Sequence, residues 1–528
     1  MFDVNTIAYG PNSLLCRYAA HADEAAFHSG RRLVAAIERQ PPAGLREIVP
    51  AFTTLRLDFE AGTSKSQREC VVALLQGLGA HEALADEGGE GRLTEIPVRY
   101  DGVDLAQVAE HAGLSCDEVI ERHLASAYRV HCLGFAPGFP YLGGLDPRLA
   151  TPRLASPRPR VPAGSVAIGG EHAGIYSIPS PGGWNLLGTT EASLFKPRAA
   201  SLDEMFLLRA GDRVRFVRQN EGGTRKAASD PAAEPSIAEP PDKAGLLRVL
   251  SAGLGIALQD LGRPGFARFG VPPGGAMDPH AALWANRLLD NPSSAAVLEL
   301  CLQGQRLEVL RDGWLAVTGS GAPRGQSANH AFRLRAGDAL EFAPRSAGVW
   351  TYLATPGGFA GEPVLGSVSV NARAGIGRGL APGDMVALEG ASGFDLSSAI
   401  AGRSIPWAET AAFAQPAALR VWPGPQWAMF GEAVRECFFG TEWTVTSQCD
   451  RVGYRLSGLV LKPESAQIIS EPVLPGSIQV PANGQPIVTM PDGPTLGGYP
   501  KLGLVDPVDL SRLAQCRAGQ RVRFVMVR

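Results

Sequence analysis

The chain carries no excess of basic charge: 49 Lys and Arg stand against 52 Asp and Glu, a formal net charge of −3. That balance leaves no electrostatic footprint for nucleic acid. Long apolar runs are missing as well. No stretch approaches the roughly 18 uninterrupted apolar residues that read as a membrane span. The first fifteen residues include Asp3 and no basic-then-apolar signal region. None of the eight cysteines stands in a C-x-x-C spacing, which in 528 residues suits a reducing compartment better than a disulfide framework. A soluble, cytoplasmic protein is expected.

Standard catalytic signatures are absent too. There is no G-x-x-x-x-G-K-[ST] loop, no H-E-x-x-H, no G-x-S-x-G, and no G-x-G-x-x-G between a strand and a helix. The nine histidines never pair at metal-ligand spacing on one helix face, so no metal site is read; His111 and His123 read as surface groups. No Met-Lys-Met attachment site exists, which excludes covalent biotin on this chain.

What is abundant is glycine and proline, 63 and 42 residues, in a chain that is 45% apolar. This composition buries large cores and turns often. Gln219 to Lys243 has no aromatic residue and one large aliphatic, Ile237, and reads as a flexible linker. Before it, residues 1–92 read as a small α/β domain. A helix there places Phe27, Leu33, Val34 and Ile37 on one face and stops at Pro41-Pro42. Ser115 and Glu118 form a capping box for a second helix, and Tyr128 to Val217 reads as short strands.

An internal repeat organises the remainder. RAGDRVRFV at Arg209–Val217 returns as RAGQRVRFV at Arg517–Val525, with weaker copies, RAGDALEFA and APGDMVALE, from Arg335 and Ala381. The pattern predicts a tight glycine turn entering a strand. The fold class is therefore mainly β, with related barrels or sandwiches at 93–218, 244–405 and 406–528. The middle unit carries a helix capped by Asp278, with Pro279 as its first residue.

Candidate chemistry sits in glycine-rich loops. In His131–Arg148, Phe135, Phe139 and Tyr141 can wall a pocket or pack a barrel corner. Tyr176, Trp184 and Asn185 offer a phenol, an indole donor and an amide within ten residues, or a plug in a barrel mouth. Asp260 and Arg263 read equally as a catalytic or a structural pair. Gly274-Gly275 lead into a helix start that can hold a carboxylate or phosphate, although Asp278 already caps it. Further on come Arg451, Glu471, Gln479, Asp492, Thr495 and Lys501, with Gly497-Gly498 among them.

The blocks GFAPGFPYLGGLDPRLATPR, SPRPRVPAGSVAI and SPGGWNLLG closely resemble the allophanate hydrolase subunit 1 family, also known as the B-type component of 5-oxoprolinase. The blocks LQDLGRPGFARFGVPPGGAMDPHAALWANRLLDNP, VLGSVSVNARAG and ISEPVLPGSIQVPANGQPI resemble allophanate hydrolase subunit 2, the C-type component of 5-oxoprolinase. The chain looks like a fusion of the two. The resemblance implies three cyclophilin-like β-barrel units: 93–218, 244–405 and 406–528. Departures occur at His172-Ala173, where the family usually has Gln-Thr, and at Ser177, usually Pro. Pro494 and Leu496 are closer to urea carboxylase, while Tyr499-Pro500-Lys501 keep the C-type pattern.

The resemblance implies a component of an ATP-dependent 5-oxoprolinase, opening 5-oxoproline to glutamate with a separate third subunit, and so ATP with magnesium. It also admits two alternatives: the carboxyltransferase part of a urea carboxylase served by a separate biotin carrier, or a non-catalytic regulator that binds a sensor histidine kinase. Self-association into a homo-oligomer is open in each case. For lactam activation, Arg451, Arg263 and Lys501 are expected to stabilise anionic charge, with Asp492 and Asp260 positioning an N–H or a metal. Phe135, Tyr176, Trp184, Asn185, Glu471, Gln479 and Thr495 would shape the substrate pocket, and Gly274, Gly275, Gly497 and Gly498 would approach the cofactor. On this reading, alanine at Lys501 or Arg451 lowers turnover and leaves the melting temperature nearly unchanged.

Overall fold

At each of the four copies of the repeated segment the chain makes the same turn. The N–H of the fourth residue donates to the carbonyl of the first: Asp212 to Arg209 at 3.0 Å, Asp338 to Arg335 and Asp384 to Ala381 at 3.1 Å, and Gln520 to Arg517 at 3.0 Å. The fourth side chain in turn accepts from the first residue's N–H, at 2.9, 3.2, 2.8 and 3.2 Å. The third residue is always glycine, with φ of 97°, 88°, 96° and 85° at Gly211, Gly337, Gly383 and Gly519. A turn needing positive φ at that place selects glycine, because a Cβ would meet its own backbone.

The first and last copies close their units in the same way. The strands they feed, Arg213–Arg218 and Arg521–Met526, pair in parallel with the strands that opened the units, Leu93–Val98 and Ala417–Pro423. Phe216 lies opposite Ile96, and Phe524 opposite Leu419.

The computed structural model describes residues 4–63, 69, 72–73, 91–219, 245–345, 347–389, 400, 402–406, 413, 417–465 and 467–527. From residue 220 onward the expected linker lies outside these. The described chain is mostly β. Strands Asn5–Ala8, Ser13–Arg17, Thr54–Phe59 and Leu45–Pro50 form an antiparallel sheet in that order. Helix Glu24–Arg39 follows the second of them, capped by Asp23, and buries Phe27, Leu33, Val34 and Ile37 as its spacing requires. Seven strands between Leu93 and Arg218 form one sheet over a core that includes Val98, Val130, Leu142 and Phe216. Residues 245–387 build sheets of four and five strands. Helix Pro279–Arg287 packs on the larger of these, its cap Asp278 accepting from Ala281 N. Seven strands between Ala417 and Met526 close into a barrel. Hydrogen bonding thus closes the last of the three expected barrels. The other two units are the seven-stranded sheet and the pair of sheets.

The capping box at Ser115 and Glu118 forms in full. His123, expected at the surface, is instead fully buried. It stacks on Phe216 at 4.6 Å and shares a hydrogen bond of 2.7 Å with Tyr100, and burial pushes its pKa down to about 3. The helix supplying it lies against the final strand of its unit, so its inner face takes the imidazole. The seven cysteines among the described residues form no disulfide. No described helix is long and apolar enough to cross a membrane.

The two halves of the chain meet in a continuous seam. Leu496 of the last unit enters the aromatic cluster of Phe139, Tyr176 and Trp184. Gly134 is required there, since a Cβ would lie 2.2 Å from the Leu496 side chain. Polar contacts flank this plug: Tyr9 to Ser477 at 2.6 Å and Arg56 Nη1 to the Val473 carbonyl at 2.7 Å.

The repeated turn yields a test at Gly519, where an added Cβ meets nothing within 4 Å and only backbone strain is at stake. Gly519→Ala should lower stability by about 1–2 kcal/mol, read as an earlier midpoint in urea. An unchanged midpoint would contradict the required φ.

Candidate functional site

Where the N-terminal sheet, the loop after Arg263 and the last barrel converge, a cavity of about 300 Å³ remains. Its walls come from stretches far apart in the chain: Tyr9 to Ser13 with Glu47, Arg56 and Asp58; Arg263 to Pro273; and Val473 to Leu510. Two groups on those walls are left with unmet hydrogen-bonding capacity. Arg263 is 2% exposed. Its Nε donates to the Val364 carbonyl at 3.3 Å and its Nη2 to the carbonyls of Ser367 and Ser369, but Nη1 has no partner among the described residues. Burial pulls its pKa down, against the charges of Asp260 and Asp492. Thr495 is equally buried, and its Oγ1 is also without a partner among the described residues. An unpartnered guanidinium nitrogen and an unpartnered hydroxyl on the walls of one cavity are complemented by a carboxylate or similar oxyanion.

The wall contributed by the N-terminal sheet is internally paired. Arg56 grips both oxygens of Asp58 at 3.0 Å through Nε and lies 3.6 Å from Glu47. Glu47 accepts the N–H of Ala267 at 2.7 Å, which ties the N-terminal sheet to the Arg263 loop. Burial raises the Glu47 carboxyl pKa despite Arg56. Sequence reasoning missed Glu47, Arg56 and Asp58. They alternate along two neighbouring strands with no glycine loop to mark them.

Arg451 and Lys501, expected to stabilise anionic charge, are both paired with carboxylates in the structure. Arg451 donates through Nε and Nη2 to Asp492 at 2.7 and 3.2 Å, through Nη1 to Glu299 at 2.5 Å, and through Nη2 to the Gly275 carbonyl at 2.7 Å. Burial disfavours its charge, but Asp492 and Glu299 outweigh this and hold the guanidinium protonated. Glu299 also accepts from Met277 N and the Tyr352 hydroxyl, both at 2.7 Å. Arg451 thereby fastens the last barrel to the middle unit. Lys501 is fully buried, and its Nζ donates to Glu471 at 3.1 Å. Glu471 accepts in addition from Gln426 at 2.7 Å and Arg17 at 3.1 Å. Burial alone would raise the Glu471 carboxyl, yet Lys501, Arg17 and Gln426 together hold it below its usual range.

Asp260 accepts four hydrogen bonds, from Ser367 and Ser369 hydroxyls and from Gly262 and Val368 N–H groups. It organises the same 367–369 segment that Arg263 grips. No direct ion pair joins the two among the described residues; they are neighbours on a shared scaffold. The glycine cradle is also engaged, with Gly274 N donating to the Pro491 carbonyl at 3.0 Å. A Cβ on Gly274 would come 3.1 Å from Arg263 Nη1, so glycine here leaves room for the guanidinium. Gly497 pairs with Glu471 in a short strand, and Gly498 approaches Arg153 of the first half. Gln479 is tied to Thr489 at 2.8 Å.

Phe135, Tyr176, Trp184 and Asn185 do not reach the cavity. Trp184 and Phe139 lie 5.7 Å apart, Phe135 packs 5.4 Å from Phe139 and 6.3 Å from Tyr176, and the cluster plugs the seam. Asn185 is fully buried, with Nδ2 on the Pro152 carbonyl at 2.9 Å. Of the expected site residues, the structure brings Arg263 and Thr495 to the cavity. It sets Asp492 and Gly274 just behind Arg263 and places the others in the supports.

A family model described as the carboxyltransferase domain, subdomain C and D, matches residues 4–207, and one for subdomain A and B matches residues 269–526. The second half is 36% identical over 290 residues to the C-type component of 5-oxoprolinase from Escherichia coli K12, covering 53% of this chain and 91% of that one. The first half is 40% identical over 228 residues to the B-type component of 5-oxoprolinase from Bacillus subtilis 168, covering 40% and 91%. The crystal structure of the protein TTHA0988 superposes with a TM-score of 0.84 at 36% identity, covering 98% of this chain and all of that one. Urea amidolyase of Lachancea kluyveri is 28% identical over 315 residues, 17% of its length. The chain belongs to the carboxyltransferase-domain family that includes the B-type and C-type components of 5-oxoprolinase, with both types joined in one polypeptide.

Burial changes what the Lys501 and Arg451 substitutions should do. Lys501→Ala leaves Glu471 without its buried partner and should cost about 3–5 kcal/mol, seen as a clear fall in melting temperature. Lys501→Met combined with Glu471→Gln should recover most of it. Because the folded Glu471 carboxyl lies below its ordinary 4.5, its contribution is complete above that pH and is lost as pH falls through the folded value. Glu471→Gln should flatten that acid limb. Wild-type melting behaviour in Lys501→Ala would rule out the structural role.

Proposed function

We propose that the chain is the fused B- and C-type component of an ATP-dependent 5-oxoprolinase, working with a separate third subunit. The observation that supports this reading is the cavity walled by both halves, with Arg263 Nη1 and Thr495 Oγ1 unpartnered on one side. 5-Oxoproline carries one carboxylate and one lactam. In this reading Arg263 and Thr495 take the carboxylate, and Glu47 on the opposite wall faces the lactam N–H. Arg451, Asp492 and Asp260 act as positioning residues that hold the Arg263 loop, while Lys501 and Glu471 hold the halves together. The proposed division keeps 1–92 as a small α/β domain and treats 93–218, 244–405 and 406–528 as three versions of one barrel.

ATP and magnesium come from the resemblance and fit these residues poorly. Among the described residues no three His, Cys, Asp or Glu side chains are grouped to hold a metal ion, and the Gly274 amide is already bonded. No step is therefore routed through ATP on this chain, and ATP use is assigned to the assembled complex. The similarity to urea amidolyase favours one second reading, carboxyl transfer to a urea-like acceptor from a separate biotin carrier.

The deciding assay measures ATP consumption and glutamate for the purified chain with and without the third subunit, on 5-oxoproline and on urea. Glutamate that requires both 5-oxoproline and the partner is the expected result. Arg263→Met should raise KM for 5-oxoproline about 10–100-fold, the loss of one charge-assisted contact, with kcat less affected. Activity on urea alone, in the presence of a biotin carrier, would replace this reading with the second.

A further inference from the structure

A second cavity of about 300 Å³ opens in the first half, between the start of helix Glu24–Arg39 and the strands Pro140–Gly143 and His172–Ile175. It shares no lining residue with the cavity above. Three carboxylates, Asp23, Glu24 and Glu171, and two imidazoles, His131 and His172, line it. His131 is 7% exposed, and among the described residues neither of its ring nitrogens has a partner; Nδ1 of His172 has none either. Position 143 must be glycine for this ring to fit, since a Cβ would lie 2.3 Å from His131 Nε2. Aromatic packing fixes both rings: His131 stacks on Phe27 at 5.1 Å and His172 on Phe52 at 4.1 Å. Burial pushes both pKa values down to about 4, so each imidazole is neutral at ordinary pH and offers a lone pair.

The charge of the wall is negative. Asp23 uses one oxygen to cap the helix, accepting from Ala26 N at 2.8 Å, and Glu24 is paired with Arg129 at 3.2 Å. Glu171 stands exposed. The chemistry these acceptors complement is an N–H-bearing cation. The geometry does not suit a metal ion, because no three potential ligands are grouped among the described residues.

We propose that this cavity binds a small organic cation with N–H donors, a primary ammonium or guanidinium on a short apolar body, held by the lone pairs of His131 and His172 and by the surrounding carboxylates. The site stands apart from the lactam reading and does not depend on it. Titration calorimetry on the full chain tests it, with n-butylammonium and n-butylguanidinium as probes and tetramethylammonium, which has no N–H, as control. Saturable one-to-one binding of the N–H cations is expected, at least about tenfold tighter than the control. His131→Phe keeps the aromatic stack and removes both nitrogens, and it should weaken binding by a similar factor. The exposed Glu171→Gln should weaken it several-fold without any effect on folding. Absence of saturable binding to the wild-type chain overturns the proposal, as does equal binding by the control or by both variants.

Discussion

A fully buried ammonium must be paired, and the partner of Lys501, Glu471, also takes a contact from the first half of the molecule. Glu471 is reached from three directions: by Lys501 from the barrel, by Gln426 from the loop before helix Glu432–Gly440, and by Arg17 from the N-terminal sheet. Arg17 is 39% exposed, so its contact adds little energy by itself. Its importance is positional. It draws the second strand of the N-terminal sheet against the last barrel, and Arg56 on the neighbouring strand follows it to the Val473 carbonyl.

That seam explains why a cavity exists where it does. The barrel, the N-terminal sheet and the Arg263 loop that bridges them leave space between them. The loop itself is held from below by Asp260, whose four accepted hydrogen bonds leave its carboxylate fully satisfied. Arg263 then enters the junction with no carboxylate bonded to it directly. A guanidinium in this state is costly in an empty protein and favourable beside an anion. The same network that stabilises the seam therefore also prepares the site. Arg451, with Asp492 and Glu299, performs a parallel task between the last barrel and the middle unit.

Much of the scaffold could be read from local chemistry. The turn copies at 209, 335, 381 and 517 announce themselves because a positive-φ glycine and a capping side chain lie within four residues. The caps at Asp278 and Ser115 are legible for the same reason. Of the residues singled out in the sequence, Arg263 and Thr495 line the candidate cavity. Lys501 and Arg451 look like catalytic cations in glycine-rich loops, and nothing nearby in sequence shows that Glu471 and Glu299 neutralise them; Glu299 is 152 residues away from Arg451. Glu47 and Asp58 escaped notice for the opposite reason: alternating charges on an edge hairpin read as solvated until another domain covers them. The aromatic residues of the first half showed that a packed junction existed but not that Leu496 fills it.

The central claim is that the junction of the two halves forms an anion-accepting cavity whose unpartnered groups are Arg263 Nη1 and Thr495 Oγ1. A crystal structure of the chain with 5-oxoproline tests it most directly. The account predicts the ligand carboxylate within hydrogen-bonding distance of both groups, with Arg451 and Lys501 unmoved in their ion pairs. Density for the ligand elsewhere, with Arg263 turned away to a protein carboxylate, would contradict it.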